Sequence, residues 1–190
     1  MQAPRNAMNP DSPNALLEAA HRWSDVVQAA VALGRALEAR GWMIATAESC
    51  TGGSIARALT EIGGSSAWFE RGFVTYTDAS KLDLLEVPAE VLASCGAVSE
   101  AVAARMAEGA LKRSRAQLAL SVTGIAGPGG ATPDKPVGTV CFGWASIGEA
   151  PRTATMHFAG DRAAVRDASA LHALRGALER LADGRPTPLS

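Results

Sequence analysis

At 190 residues and a formal net charge of −1, the chain has the length of one ordinary domain and no dense run of lysine or arginine, which excludes the basic stripe of a non-specific nucleic-acid binder. Its hydrophobic content of 47% supports a sizeable core, and 5% aromatics means that Ala, Val, Leu and Ile must build it. No apolar run approaches the roughly 20 residues that span a bilayer, and the N-terminus lacks the basic-then-apolar order of a secretory signal. Cys50, Cys95 and Cys141 are an odd set without CxxC spacing, and His21, His157 and His172 are scattered. They argue against a disulfide framework and a zinc site. The expectation is a cytoplasmic protein that needs no metal and no cofactor and has neither membrane nor nucleic acid as partner.

Residues 1–14, with Pro4, Pro10 and Pro13 among polar side chains, read as a tail. From Ala15 to Arg40, apolar positions at Leu16, Leu17, Val26, Val27, Ala30, Leu33 and Leu37 mark one or two amphipathic helices, closed by Gly41. Trp42 to Ala45 reads as a first strand, and Ile55, Ala56, Ala58, Leu59 and Ile62 recur at helical spacing. After a glycine turn at Gly63-Gly64, the segment Gly72 to Tyr76 is a second strand. Thr77 or Asp78 caps a helix through Leu85 that carries Lys81, Pro88 opens a short helix, and Ser99 caps a longer one through Leu111. Leu118 to Thr123 is a third strand running into a glycine-rich loop, Gly124 to Gly130. Val137 to Ala145 and Thr153 to Phe158 form a hairpin, and a last helix opens at Gly160-Asp161. One domain over 15–184, with a second tail at 185–190, is the expected organisation. Alternating strands and helices with one late hairpin predict an α/β fold with a mixed sheet.

Three segments share one topological place, the end of a strand: Ser49 to Gly53, Tyr76 to Lys81, and Gly124 to Gly130. If their strands are parallel, they line one pocket, because ligands bind outside the carboxyl ends of strands in open α/β sheets. The first segment offers two nucleophiles, Ser49 and Cys50, beside Glu48, Thr51, Gly52 and Gly53. It equally suits a plain helix start, with Ser49 or Thr51 as cap and the glycines relieving the turn. A serine nucleophile needs a base, and no histidine lies in a matching position. A lysine whose pKa is lowered by burial can serve, and Lys81 is one of three lysines, five residues after the single tyrosine, Tyr76. Backbone N–H groups from Cys50 to Gly53 are candidates for an oxyanion hole. Cys50 is the rival nucleophile, since a helix N-terminus depresses a thiol pKa. The glycine loop lacks the G-K-[ST] of a P-loop but allows close backbone approach to a phosphate or sugar. Lys135 and Arg162 are the nearby cations, and Arg162 is favoured because it begins a helix.

Thr46 to Gly53, Gly64 to Phe69, Gly72 to Tyr76 with Lys81, Gly96 to Glu100, Thr123 to Gly130 with Lys135 to Val140, and Gly160-Asp161-Arg162 occur in that order. Together, over about residues 25–182, they resemble the CinA C-terminal domain family, the nicotinamide-nucleotide amidases. The resemblance implies a three-layer α/β/α sandwich with a mixed, mostly parallel sheet, no metal, and a homodimer. It also implies hydrolysis of nicotinamide mononucleotide to nicotinate mononucleotide and ammonia by a Ser–Lys mechanism. Ser49 takes the nucleophile's place, Lys81 the base's and Tyr76 the supporting tyrosine's. Glu48, Cys50, Thr51, Gly52, Gly53, Thr123, Gly124, Gly127, Gly129 and Arg162 are the expected substrate contacts. Tyr76 to Lys81 departs from the family's usual Y-S-N-E-A-K but keeps its tyrosine and lysine. Many relatives carry an N-terminal pyrophosphatase-like domain, so the chain resembles the stand-alone form. The competing expectation is a non-catalytic nucleotide-binding or regulatory module with the same pocket.

Overall fold

A computed structural model describes residues 12–183, so most of the first expected tail and all of the second lie outside the described residues. In chain order the elements are α1 (Pro13–Arg40), β1 (Ile44–Glu48), α2 (Ser54–Thr60), β2 (Phe69–Val74), α3 (Asp78–Leu85), α4 (Ala89–Cys95), α5 (Glu100–Lys112), β3 (Leu118–Gly124), β4 (Thr139–Ser146), β5 (Arg152–His157) and α6 (Arg162–Asp183). The first helix is continuous and starts at Pro13, two residues before its apolar periodicity becomes visible. Ser12 caps it by accepting the Ala15 N–H at 3.2 Å, and Gly41 ends it at φ 63°. No helix among the described residues is long and apolar enough to cross a membrane.

The five strands lie in the order β2-β1-β3-β4-β5. β1 pairs in parallel with β2 and β3, while β4 is antiparallel to β3 and β5, so β4 alone is reversed. The hairpin and the parallel trio are as expected, and the trio places three strand ends at one edge of the molecule. Two of the boundaries that differ from the periodicity reading bear on the site. β1 runs to Glu48, which makes Thr46 to Glu48 strand rather than turn, and β2 stops at Val74, leaving Tyr76 in a connection. Pairing sets both limits, because the last register partners are Glu48 with Val74 and Glu48 with Val122.

Alternation along the strands divides the core into two faces. Ile44, Leu118, Leu120, Val122, Phe142 and Trp144 pack against buried residues of α1, α2 and α6. Ala45, Ala47 and Ala119 pack against α3, α4 and α5. A buried leucine contributes roughly 1.5–3 kcal/mol, so the first face carries most of the apolar stabilisation. The second gains by close approach: a Cβ on Gly143 would meet the Ala103 carbonyl oxygen at 2.5 Å, and Ser121 Oγ donates to that same oxygen. Helices on both faces of a mixed sheet make the expected three-layer sandwich.

The start of α2 is the detail that matters for function. Its cap position is Gly53, at φ 92°, which has no side chain to satisfy the first helical N–H groups. The fully buried Glu48 carboxylate does so from the end of β1. Its Oε2 accepts from Gly53 N–H at 3.0 Å and Ile55 N–H at 3.1 Å, and its Oε1 from Ala56 N–H at 2.8 Å. The negative charge also suits the positive end of the helix. Replacing Glu48 with Ala leaves three donors without acceptors and is expected to cost roughly 2–4 kcal/mol. Urea denaturation reads this as a lower midpoint, with Glu48→Gln falling between; an unchanged midpoint would remove the capping role.

Candidate active site

The turn after β1 is held from several sides. Ser49 N–H donates to Val122 O at 2.9 Å, which ties the turn to β3, and Gly52 N–H donates to Ser49 O at 3.1 Å. Gly52 and Gly53 adopt φ of 61° and 92°, where any other residue is strained. Neither Ser49 nor Thr51 caps α2, since Glu48 does. With Gly52 and Gly53 N–H engaged, the N–H groups of Cys50 and Thr51 are the ones in this turn left without a backbone acceptor among the described residues. The oxyanion candidates therefore narrow to those two.

Lys81 reaches this turn from the other side of the sheet edge. Thr77 and Ser80 form a reciprocal capping box that fixes the start of α3 and places Lys81 in its first turn. Lys81 is 1% exposed. Its Nζ donates to Thr75 O at 3.1 Å, to Thr77 O at 3.5 Å and to Ser49 Oγ at 3.5 Å, with Asp78 Oδ1 at 3.7 Å. Burial pushes the Lys81 pKa below the ordinary lysine range, and the Asp78 carboxylate only partly opposes this. The pair is thus a hydroxyl facing an amine that gives up its proton more readily than an exposed lysine does. Its spacing is slightly longer than the 2.6–3.2 Å of a tight catalytic hydrogen bond, of the kind that shortens on substrate binding.

Cys50 behaves differently from what its place near a helix start suggests. It is buried, and burial pushes its thiol up to about 12, with Glu48 adding to the rise. Arg166 and Arg162 act in the opposite direction but do not reverse it. At neutral pH this residue is a protonated, poorly nucleophilic thiol.

The remaining expected contacts divide by what they touch. Glu48 is enclosed and both its oxygens are engaged on α2, so its place is structural rather than at a substrate. Tyr76 is exposed, and its hydroxyl accepts from Arg162 Nη2 at 3.1 Å; it is bonded to neither Ser49 nor Lys81. Arg162 Nη1 also donates to Gly127 O at 2.8 Å, so the arginine links the glycine loop to Tyr76. Thr123 Oγ1 donates to Ala97 O at 2.8 Å, and a Cβ on Gly124 would press on Val140 at 2.8 Å; both are accounted for by packing. Gly129 has open space around it. Lys135 donates to Cys95 O at 3.2 Å, which ties it to the end of α4.

Three residues to which the sequence gives no individual role at the site lie against it. Thr75 and Asp78 surround the Lys81 ammonium, and Arg166 Nη2 donates to Thr51 O at 2.7 Å. Arg166 follows Arg162 by one helical turn, a spacing that puts both on one face of α6 and was the available signal.

The CinA C-terminal domain profile matches residues 27–181. The chain is 53% identical over 148 residues to nicotinamide-nucleotide amidohydrolase PncC of Enterobacter agglomerans, covering 78% of this chain and 90% of that one. It is 51% identical over 152 residues to the protein of the same name in Escherichia coli K12, covering 80% and 92%. Among solved structures it is similar to the competence/damage inducible protein CihA from Agrobacterium tumefaciens, with TM-score 0.81, 46% identity, and coverage of 84% of this chain and 96% of that one. A strand-end serine turn, an enclosed lysine and these matches over most of the domain agree: the chain belongs to the CinA C-terminal domain family.

Proposed function

We propose that the protein hydrolyses the carboxamide of nicotinamide mononucleotide, releasing ammonia and nicotinate mononucleotide. The observation that carries the chemistry is the Ser49 Oγ facing the buried Lys81 Nζ at 3.5 Å; the amidohydrolase relatives supply the substrate. Neutral Lys81 takes the proton of Ser49 as Oγ attacks the amide carbon. The N–H groups of Cys50 and Thr51 stabilise the resulting oxyanion. The tetrahedral intermediate collapses by breaking the C–N bond, and the Lys81 ammonium returns its proton to the departing nitrogen, giving ammonia and a Ser49 ester. Water then attacks the ester, Lys81 accepts its proton, and Ser49 leaves with that proton as the acid is released. No metal is needed at any step. Arg162, exposed and linked to the glycine loop and Tyr76, suits the 5′-phosphate, because a guanidinium pairs with phosphate through two parallel hydrogen bonds. Tyr76, released from Arg162 when phosphate takes the arginine, assists proton transfer.

The finer setting follows the same reading. The three free cysteines suit a reducing cytoplasm. Pairing of two copies as a homodimer is part of this reading, and light scattering of the full chain measures it directly.

Ser49→Ala is expected to abolish ammonia release from nicotinamide mononucleotide, while Cys50→Ala keeps it within a few-fold. The reverse pattern transfers the nucleophile to Cys50, and tight nucleotide binding by an unaltered chain that releases no ammonia identifies a binding module instead.

Lys81 links activity to pH and stability. Its folded pKa lies below the unfolded value, so the stability it contributes is full above about 10.5 and is lost as pH falls through the folded pKa. At pH 7 its charged form is therefore a burden on the folded state. Lys81→Met is expected to be inactive yet to melt at the same or a higher temperature at pH 7, with the advantage shrinking toward pH 10. The unaltered enzyme's kcat/KM should rise with pH along a limb centred below 10.5. A melting point well below that of the unaltered protein at pH 7 would contradict the burial argument.

A further inference from the structure

Arg166 has an unusual set of contacts. One terminal nitrogen, Nη2, donates to Thr51 O at 2.7 Å, while its Nε is buried and has no partner among the described residues. Among the described residues, neither Arg162 nor Arg166 forms an ion pair with a carboxylate. The guanidinium also lies against Gly52, where an added Cβ would sit 3.5 Å from Nη2. A half-buried, unneutralised cation is thus fixed to the turn that carries Ser49.

The contact falls on one particular peptide group. The Thr51–Gly52 peptide is held at its N–H end by Ser49 O at 3.1 Å and at its carbonyl end by Arg166. Ser54 N–H reaches the same carbonyl, but at a longer 3.3 Å. Turning that peptide plane would change ψ at Thr51 and φ at Gly52 and loosen the tight turn that presents the Cys50 and Thr51 N–H groups, which have no backbone acceptor among the described residues. We propose that Arg166 is a positioning residue that locks the nucleophile turn and holds the Cys50 and Thr51 N–H groups toward the developing oxyanion. This rests on the reading of Ser49 as nucleophile.

Substrate phosphate is the competing use for an arginine here, and the burial pattern favours Arg162 for that. Arg162 is exposed, whereas Arg166 is half-buried with its Nε closed off from solvent. Arginine suits the clamp because its charge is permanent and its planar fork fixes direction as well as distance.

The test uses the full chain with Arg166→Met and Arg166→Lys, each checked for an unaltered melting curve. With nicotinamide mononucleotide, kcat is expected to fall about 100-fold in Arg166→Met, the scale on which a small misplacement of catalytic groups acts, with KM nearly unchanged. Nicotinamide riboside, which lacks the phosphate, should suffer the same proportional loss. Arg166→Lys should recover only part of kcat. A raised KM with unchanged kcat, confined to the phosphorylated substrate, would overturn the proposal and make Arg166 a phosphate ligand. A separate arm needs no turnover: amide exchange at Gly52, followed by NMR, should accelerate in Arg166→Met while β1 exchange stays constant. If the unaltered chain released no ammonia, the amidase reading would fail while this arm still judged the clamp. Unchanged Gly52 exchange would reject the clamp for any substrate. Should Arg166→Met not fold, Arg166→Gln and Arg166→Lys carry both arms.

Discussion

Everything at the site depends on keeping the Lys81 amine out of water. Removing an ammonium from solvent costs several kcal/mol even after relaxation, and the fold offsets only part of that. Thr75 O and Thr77 O accept from Nζ, and the Asp78 carboxylate stands further off, mostly in solvent. Thr77 O is shared, because it also accepts the Lys81 backbone N–H at 3.2 Å. Such partial solvation holds the lysine in place without satisfying its charge. That residual discomfort shifts the equilibrium toward the neutral amine, the form able to take a proton from a serine.

The same constraint explains why Glu48 sits where it does. Its carboxylate starts α2, and its backbone carbonyl accepts the Thr75 N–H at 2.8 Å. Thr75 in turn presents its carbonyl to Lys81. One residue at the end of the central strand thereby fixes the helix behind the nucleophile and the connection that cradles the base. Parallel pairing of β1 with both β2 and β3 makes this economy available, because three strand ends arrive together at one edge. An antiparallel arrangement of β1 and β2 would place Ser49 and Thr75 at opposite ends of the sheet.

The sequence made the layers and the central pair legible for physical reasons. The scarcity of lysine and the single tyrosine drew attention to positions 76–81, and the strand-turn-helix pattern to position 49. Capping signals at Thr77, Ser99 and Gly41 were local and held in the structure. What could not be read was long-range. The resemblance implies Glu48 as a substrate contact, but here Gly53 leaves the capping of α2 to that carboxylate five residues earlier, and no local cap signal shows it. Cys50 looked activated by a helix start, but its enclosure outweighs that influence, and enclosure depends on the whole fold. Tyr76 looked like a strand residue because its segment is rich in β-formers. Only the pairing register shows that the ladder ends at Val74. The spacing of Arg166 from Arg162 is local, but the partner that gives Arg166 its place is a carbonyl 115 residues away.

The choice of cation at each place separates two requirements that conflict within one residue. A general base must be able to give up its charge, and burial makes that easier for Lys81. A clamp or phosphate partner must never lose its charge, and arginine keeps it at any pH a folded protein experiences. The site assigns them accordingly: the amine comes from α3 on one side of the sheet, and Arg162 and Arg166 come from α6 on the other. Exchanging the two types would fail in both directions. An arginine at 81 would stay protonated beside Ser49, and a lysine at 166 would carry the charge without the planar geometry that holds the Thr51 carbonyl. The division of labour between neutralisable and permanent cations is therefore as much a part of the candidate mechanism as the serine itself.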